Sequence, residues 1–343
     1  MKKYNVAIVG SGFRACIFIR LIKSLENDFV LTNVLCRTDI KKEYIKSNFD
    51  VPCTISRADI LKSKPDFIIN AVSKENIYSE TIYYLSKNIP VLQETGGVLS
   101  TVRLKNLYDR VNNGDKLLIA EQYHLYPLVQ AYKRIIDSKI LGDIRYVKVS
   151  YSHDYHSLNV IKYLLDEKDV LNVTGNKHNF LITKTDSREG LCYSGELQEA
   201  IVTNFTFGFP NGKIGYHNFN SMSFRSTILN RNIEVVGSRG TILGEDIKYL
   251  DENNKTISKQ LLVSKDKIYF GDELLYENKL LNILSLEETV LSGLLYEMVE
   301  LIKYDNKKQR VISALKDAYT ANVINKISDK QIYSMININD IFK

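Results

Sequence analysis

Short apolar runs alternate with amphipathic segments over the first third of the chain. Val6, Ala7, Ile8 and Val9 form an unbroken apolar run, as in a buried parallel strand. The next segment, 13–25, has apolar residues at helical spacing. Further strands are predicted at 29–35, 51–54, 67–72, 90–93 and 116–121, and further helices at 41–48, 57–62, 77–86 and 102–112. This alternation predicts a doubly wound parallel sheet over residues 1–121.

A different pattern follows residue 121. Helices are predicted at 127–138 and 157–165, with a strand at 144–151 between them. Strands then predominate from about 191 to 271, and Pro210-Asn211-Gly212 predicts a hairpin turn between two of them. Two more helices are predicted at 286–304 and 313–327. We therefore expect a second α/β domain over 122–343 with a large, mostly antiparallel open sheet.

The composition is typical of globular proteins. At 343 residues the chain has room for about two domains, and 44% hydrophobic with 25% charged residues is an ordinary balance. No apolar run is long enough to span a bilayer. The glycines after Val9 also interrupt the opening run too early for an export signal. We therefore expect a cytoplasmic protein with no membrane partner.

Cysteine spacing and charge argue against two other classes of protein. Cys16, Cys36, Cys53 and Cys192 lie far apart and form no C-x-x-C pair, so neither a zinc site nor a disulfide framework is supported. The net charge is +6, but no block of five like charges occurs. We therefore predict no nucleic-acid partner.

A glycine turn joins the first predicted strand to the first predicted helix. Gly10 permits the tight turn, Gly12 lets a diphosphate lie against the backbone, and Ala15 allows close packing of helix on strand. The first amides of the helix point at such an anion. The cofactor-binding residues predicted here are Gly10, Ser11, Gly12, Phe13 and Arg14. The alternative is a tight turn that binds no ligand.

The end of the second predicted strand bears on the choice between NAD and NADP. Cys36 occupies the place where an NAD site has an acidic residue. Arg37 can pair with a 2′-phosphate and Thr38 can donate a hydrogen bond to it, so NADP is favoured. Two alternatives stay open: Arg37 is a solvated surface residue, or Asp39 restores a preference for NAD.

The strand predicted at 67–72 ends in small and polar residues. In open α/β sheets, the carboxyl ends of the strands line the ligand crevice. We therefore expect Ala71 and Val72, with Ser73 and Asn76 from a loop at 73–76, to contact the cofactor.

Several further motifs occur in order along the chain. They are Lys64-Pro65-Asp66, Val91-Leu92-Gln93-Glu94, Ala120-Glu121-Gln122-Tyr123, Leu141-Gly142-Asp143, His156-x-x-Asn159 and Glu234-Val235-Val236-Gly237-Ser238-Arg239-Gly240. Together with the glycine turn, they resemble the Gfo/Idh/MocA family of NAD(P)-dependent oxidoreductases. The resemblance covers nearly the whole chain.

This resemblance implies a Rossmann domain and a C-terminal domain whose open sheet forms one wall of the active site. It also implies a small-molecule substrate, either a sugar, cyclitol or related polyol, or a carbonyl or imine compound. Family members often assemble through that sheet, so a homodimer or homotetramer is expected. By family position, Glu94 holds the nicotinamide ribose, and Gln122 contacts that ribose or the carboxamide.

Two proton-handling groups of the family pattern are missing from this chain. Members that act on sugars usually have Glu-Lys-Pro where this chain has Glu94-Thr95-Gly96, and that lysine serves catalysis. Thr95 can hydrogen-bond a hydroxyl, but it is no base near neutral pH. The family's aspartate three residues after the histidine is Asn159 here. The resemblance therefore implies a divergent branch without the lysine mechanism.

The proton-handling candidates follow from these positions. His156 matches the family's catalytic histidine, while His153 lies nearby at the end of a predicted strand. Tyr123 can donate a proton, and Thr95 can position the reacting group. The open alternatives are a capping or core role for His156 and a metal site at 153–156. Arg188 and Arg225 either hold an anionic group or lie at the surface, and His178 and His217 have no motif around them.

Two functions are therefore weighed. The first is an NAD(P)-dependent oxidoreductase or dehydrogenase that transfers hydride between nicotinamide and a small polyhydroxylated, carbonyl or imine substrate. The second is a catalytically inactive dinucleotide-binding sensor or scaffold, which the loss of lysine and aspartate at Thr95 and Asn159 suggests. A transferase using the same turn is a weaker third reading, because the 234–240 motif favours the oxidoreductase family.

Overall fold

The computed structural model describes residues 2–95, 100–187, 190–280, 283–304, 308–326 and 336–337. The chain forms two compact units. The first comprises Met1–Gln122 and Lys279–Ala318, and the second comprises Tyr123–Asn278 and Tyr319–Lys343. The predicted division after residue 121 assigns residues 279–318 to the second domain. In the structure they belong to the first unit.

The first unit contains a parallel sheet flanked by helices. Its strands are β1 (Tyr4–Val9), β2 (Phe29–Leu35), β3 (Cys53–Thr54), β4 (Phe67–Asn70), β5 (Val91–Gln93) and β6 (Leu117–Ile119). Its helices before residue 122 are α1 (Phe13–Ser24), α2 (Asp39–Phe49), α3 (Arg57–Lys62), α4 (Lys74–Leu85) and α5 (Thr101–Asn112). Within the described ranges, the strand order is β3-β2-β1-β4-β5-β6, and every pairing is parallel. This is the predicted doubly wound sheet.

The centre of this sheet is buried on both faces, which explains its continuous apolar runs. Val6, Ala7 and Ile8 of β1 and Ile68 and Ile69 of β4 have no exposed surface. The register pairs Val9 with Leu35 on one side and with Asn70 on the other. The carboxyl ends of β1, β2 and β4 therefore lie side by side at one edge.

The second unit is built on a larger sheet. Its helical elements include a 3₁₀ turn (Tyr123–Leu125), α6 (Pro127–Asp137) and α7 (Asp154–Leu165). Its strands are β7 (Ile144–Val149), β8 (Asn172–Thr183), β9 (Asp186–Ser187), β10 (Gly190–Leu191), β11 (Leu197–Gly208), β12 (Ile214–Asn220), β13 (Ile233–Gly237), β14 (Gly240–Leu243), β15 (Asp246–Leu250), β16 (Thr256–Val263), β17 (Lys267–Phe270), β18 (Glu273–Glu277) and β19 (Ile336–Asn337).

Across the part of the chain that is described, the large sheet has the order β18-β17-β16-β15-β14-β13-β7-β12-β11-β8-β19. Neighbouring strands are antiparallel except β7 and β12, which run parallel. α7 packs on β7 and β12, where Val147, Val149 and Phe219 are buried. The predicted α/β fold class is confirmed.

Two helices follow the large sheet in sequence. They are α8 (Leu286–Tyr304) and α9 (Lys308–Lys326). α8 packs against α1, and the Tyr296 hydroxyl donates a hydrogen bond to Asp28 Oδ2 at 2.8 Å. Lys116 Nζ donates to the carbonyls of Leu301 (3.2 Å) and Ile302 (2.6 Å) near the C-terminal end of α8. These contacts explain why α8 belongs to the first unit.

Several element boundaries and one strand differ from the prediction. α4 begins at Lys74 and α7 at Asp154, so the expected loop at 73–76 is mostly helix, and His156 lies inside α7 rather than before it. The first turn of α4 (Lys74, Glu75, Asn76) is polar, so apolar periodicity does not mark it. β8 was not predicted, because its middle is exposed and carries no apolar alternation.

Candidate functional site

The turn between β1 and α1 accepts only glycine at its first position. Gly10 has a φ of +124°, and a Cβ there would lie 2.5 Å from the Ala71 carbonyl oxygen. Gly12 is the N-cap of α1 in an extended conformation, and no described atom lies within 4 Å of a Cβ built on it. The close approach of β1 to β4 thus fixes the turn, while Gly12 faces open space.

The N-terminus of α1 is electrostatically suited to an anion. Within the described chain, no side chain caps this helix, and its first turn contains no acidic residue. The first amides of a helix have no partner inside the helix and carry partial positive charge. A diphosphate could therefore lie against them without displacing a protein group.

A cavity of about 740 Å³ opens at this turn. Its walls come from the turn itself, the end of β2, the end of β4 and helices α2, α3 and α4. The lining residues are Gly10, Ser11, Gly12, Leu35, Cys36, Arg37, Lys41, Ile55, Arg57, Ala71, Val72, Ser73, Asn76 and Glu80. The structure thus brings together eight of the predicted cofactor residues. Phe13, Arg14, Thr38, Glu94 and Gln122 do not line this cavity.

The β2 side of the cavity is rich in cations. Burial raises the pKa of the Cys36 thiol to about 11, so the thiol is neutral near neutral pH. Arg37 is exposed beside it, and Lys41 reaches the same wall from the first turn of α2. Thr38 caps α2, because its Oγ1 accepts a hydrogen bond from the Lys41 amide at 3.3 Å. The predicted Arg37 is therefore joined by Lys41, which the sequence analysis missed.

Arg57 adds a third cation to this wall, but it is paired with a carboxylate. Its guanidinium forms an ion pair with Glu80, with Nε 3.3 Å from Oε2, and lies 4.9 Å from the Tyr83 ring centroid. Glu80 is buried and lines the same cavity. Sequence reasoning could find Arg57 only by knowing that α3 follows the strand next to β2.

A buried polar network fixes the base of this site. Asn70 Nδ2 donates to the Ile77 carbonyl at 2.8 Å and to Thr81 Oγ1 at 2.9 Å, and Thr81 Oγ1 donates to Gln93 Oε1 at 2.8 Å. All three polar side chains are buried. The network joins β4, β5 and α4, so it holds the carboxyl ends of the strands in fixed relation.

Glu94 follows β5 and is held by backbone and side-chain donors. Its amide donates to the Asn70 carbonyl at 2.9 Å, and its Oε2 accepts from the Thr95 amide at 3.2 Å. Its Oε1 lies 3.2 Å from Arg14 Nε. Burial raises the pKa of Glu94, and the Arg14 charge opposes that rise. Thr95 is half-buried in a turn, Gln122 is buried, and Gly96 lies outside the described residues.

His156 lies in an aromatic cluster of the second unit. It occupies the first turn of α7, whose N-cap is His153 rather than a strand residue. The His156 ring centroid is 4.4 Å from Tyr123, 4.2 Å from Tyr155 and 4.8 Å from His153. His156 is buried, whereas Tyr123 and His153 are half-buried. His156 therefore contacts both Tyr123 and His153, two of the other predicted proton-handling groups.

Aromatic residues from β12 and the loops extend this cluster. The ring centroids of Tyr151 and Tyr123 are 6.3 Å apart, and burial raises the pKa of the Tyr151 phenol. Arg231 Cζ lies 5.2 Å from the Tyr151 ring and 5.0 Å from Phe224, and Phe224 packs on His153. These residues were not predicted from the sequence. The predicted candidate Arg225 is half-buried in a 3₁₀ turn. Arg188 lies outside the described residues.

His178 and His217 have other surroundings. His217 is buried in β12 with its Nε2 2.8 Å from Thr203 Oγ1, stacked between Phe205 and Phe219. His178 is exposed on β8. Asn159 is half-buried in α7, and its Oδ1 is enclosed without a hydrogen-bond partner among the described groups. An amide thus stands where the family has a carboxylate.

The described residues contain neither a cluster of metal-ligating side chains nor a membrane-spanning helix. No group of three or more histidine, cysteine, aspartate or glutamate side chains is placed to hold a metal ion in that part of the chain. No helix within it is long and apolar enough to cross a membrane.

The chain resembles solved structures over nearly its whole length. An oxidoreductase from Agrobacterium radiobacter, solved with NAD+, L-tartaric acid and magnesium, is 13% identical with a TM-score of 0.66, covering 98% of this chain and 99% of that one. A protein from Sinorhizobium meliloti 1021, provisionally named a myo-inositol dehydrogenase, is 14% identical with a TM-score of 0.66 and coverages of 98% and 100%. An oxidoreductase from Desulfitobacterium hafniense DCB-2, provisionally named NADPH-dependent, is 14% identical with a TM-score of 0.68 and full coverage of both chains.

No protein-family model and no curated sequence matches the chain. At identities this low, the structural likeness establishes the fold. The similar structures include an oxidoreductase solved with NAD+, another described as NAD-binding and a protein provisionally named a myo-inositol dehydrogenase. The predicted resemblance is therefore confirmed for the fold.

Proposed function

We propose that the protein is an NAD(P)-dependent oxidoreductase. It transfers hydride between nicotinamide and a small polyhydroxylated substrate resembling a sugar or cyclitol, or a carbonyl or imine compound. The observation that carries this proposal is the Gly10–Gly12 turn, which presents an uncapped helix N-terminus to a cavity of about 740 Å³. Similar structures include one solved with NAD+ and one provisionally named a myo-inositol dehydrogenase.

The residues of the first unit fit a dinucleotide. The first amides of α1 would hold the diphosphate, since a Cβ at Gly12 would meet only open space within 4 Å of the described atoms. Ala71, Val72, Ser73 and Asn76 would line the cofactor along the cavity. Glu94 would accept a hydrogen bond from the nicotinamide ribose, and Gln122 would contact that ribose or the carboxamide. When bound, the nicotinamide supplies the hydride chemistry.

NADP is the favoured cofactor in this proposal. Cys36 is neutral, so no carboxylate at the end of β2 repels a 2′-phosphate. Arg37 and Lys41 line the same wall and can pair with that phosphate, and the Thr38 hydroxyl is close in sequence to both. NAD is the alternative, because Arg57 on this wall is already paired with Glu80.

In this proposal, residues of the aromatic cluster of the second unit carry out proton transfer. His156 would exchange a proton with the reacting oxygen or nitrogen, since histidine is the commonest proton carrier at neutral pH. Tyr123 contacts His156 and would polarise the reacting atom, and His153 would support His156 from the N-cap of α7. Thr95 would position a substrate hydroxyl.

The second candidate is a catalytically inactive dinucleotide-binding sensor or scaffold. It is favoured by Thr95 and Asn159, which replace a lysine and an aspartate of the family pattern. It predicts cofactor binding with no hydride exchange for any substrate.

We also propose a cytoplasmic homo-oligomer, a dimer or tetramer, assembled through the second sheet. Apolar side chains on β8 and β11 support this surface, since Leu181 is 62% and Leu197 58% exposed. Burying such residues against a second copy would be favourable.

The function can be tested with purified protein and both dinucleotides. NADPH and NADH binding would be followed by fluorescence, and turnover would be measured with a panel of sugars, cyclitols, carbonyl and imine compounds. Hydride exchange with any of these substrates supports the oxidoreductase. Binding without exchange across the panel supports the sensor, and failure to bind either dinucleotide contradicts both.

A further inference from the structure

Helix α1 contacts helix α8 through two parallel ion pairs. Arg14 Nη1 lies 2.7 Å from Glu287 Oε1, and Arg20 Nε lies 3.2 Å from Glu288 Oε1. Both glutamates belong to the first turn of α8, where negative charge is favourable. Each arginine therefore joins α1 to α8 by one ion pair.

Arg14 differs from Arg20 in a second contact. Its Nε lies 3.2 Å from Glu94 Oε1, so one guanidinium joins the end of β5 to the start of α8. Arg14 is also two residues beyond Gly12, the N-cap of α1. The amides that would hold the diphosphate and the arginine that contacts Glu94 thus belong to the same turn of α1.

The surroundings of Glu94 make that contact important. The residue is 8% exposed, and burial disfavours a carboxylate. Two further acidic residues, Glu121 after β6 and Glu287 on α8, also raise its pKa, while the Thr95 amide and Arg14 lower it. Arg14 is the cation that opposes burial and both neighbouring carboxylates.

We propose that Arg14 is a positioning residue that keeps the Glu94 carboxylate ionised and fixed in place for the cofactor. It supplies at Glu94 the positive charge that Thr95, in the place of the family's lysine, does not supply. This inference rests on the proposed function, because the role of Glu94 toward the nicotinamide ribose is assigned there.

The arrangement links two parts of the cofactor site. A change in the first turn of α1 moves both the amides for the diphosphate and the guanidinium that holds Glu94. Glu287 completes the arrangement by fixing the other side of the guanidinium at 2.7 Å. A guanidinium suits this role because its delocalised charge lies close to both carboxylates, while its Nη1 donates a hydrogen bond to Glu287.

The test compares four variants of the full chain: Arg14→Gln, Arg14→Lys, Arg20→Gln and Glu94→Gln. Dissociation constants for NADPH and NADH are measured by fluorescence from about pH 5 to about pH 9, a range that spans the titration of a carboxyl whose pKa is raised. Circular dichroism and thermal unfolding confirm that each variant is folded.

The proposal predicts different effects for the two arginines. Arg14→Gln removes the charge that lowers the pKa of Glu94, so Glu94 takes up a proton at higher pH. We expect cofactor binding to weaken about tenfold near neutral pH, and its loss toward acid to move to higher pH. Arg14→Lys keeps the charge and should restore the pH profile. Arg20→Gln loses the parallel ion pair and should bind like wild type.

Other outcomes separate this proposal from the function it rests on. If Arg14→Gln and Arg20→Gln weaken binding equally with an unchanged pH profile, Arg14 only joins two helices and the proposal is overturned. A wild-type pH profile in Glu94→Gln would overturn it as well, because Glu94 would then not be the titrating group. If the wild-type chain binds neither dinucleotide, the proposed function itself fails.

Discussion

The two candidate regions of this protein are built from different parts of the chain. The glycine turn of the first unit is made of backbone: a tight bend at Gly10, an uncapped helix N-terminus and open space at Gly12. The aromatic cluster of the second unit is made of side chains, with His156 packed on Tyr123, Tyr155 and His153. A backbone site is specified by a few consecutive residues, whereas a side-chain site requires the fold to bring distant residues together.

The largest expected effect is at the backbone site. Gly10→Ala places a Cβ 2.5 Å from the Ala71 carbonyl oxygen at a φ of +124°. We expect loss of dinucleotide binding and a decrease of about 3 kcal/mol in the free energy of unfolding, measured by chemical denaturation. Gly12→Ala is the matched variant, because its Cβ would meet only open space around the described atoms. It should fold normally and lose binding, and equal destabilisation by both changes would refute this account of the turn.

The next effect tests the side-chain site. His156→Ala should lower kcat by about 10²–10⁴-fold, the usual contribution of general acid–base catalysis, while leaving dinucleotide binding unchanged. Turnover is measured with whichever substrate the panel identifies. His178→Ala is the control, since His178 is exposed on β8. Unchanged turnover in His156→Ala would remove His156 from the mechanism.

A smaller effect is expected where side chains support the backbone site. Asn70→Ala removes two buried hydrogen bonds, those from its Nδ2 to the Ile77 carbonyl and to Thr81 Oγ1. We expect a loss of about 1–3 kcal/mol in the free energy of unfolding. In the control Asn48→Ala, an exposed amide loses its bond to the Tyr44 carbonyl, and the change should stay within about 0.5 kcal/mol. Similar losses in both variants would show that the burial of Asn70 does not increase its contribution to the free energy of unfolding.

The smallest effect concerns cofactor choice. Arg37→Gln should weaken NADPH binding about tenfold and leave NADH binding nearly unchanged, because only NADPH carries the 2′-phosphate. Fluorescence titration with each dinucleotide measures both constants. Arg103→Gln on α5, where the arginine lies over the Tyr78 ring, is the control. An equal loss of affinity for both dinucleotides would contradict the preference for NADP.

The backbone site could be predicted because its signal is local. A strand, two glycines and a helix occupy the first 24 residues, and the cavity forms where they indicate. Lys41 could have been found in the same way, since it lies one turn into the helix after β2. Arg57 could not, because only the pairing of β3 with β2 brings α3 to that wall.

The side-chain site was only partly predictable for the same reason. Family position indicated Tyr123 and His156, but nothing local indicates Tyr151 or Arg231. They meet because β13 pairs with β7, with Ile233 opposite Val149. The placement of His153 and His156 also depended on where α7 begins, and a polar first turn hides that start from apolar periodicity.

The return of α8 to the first unit has a consequence for synthesis. Residues 1–122 leave the ribosome well before residue 286, yet helix α1 packs on α8, whose Leu294, Leu295 and Met298 are buried. A nascent chain that stops after the sixth strand therefore leaves an apolar surface uncovered. The first unit becomes complete only after most of the polypeptide has been translated, so it cannot be excised as a contiguous fragment.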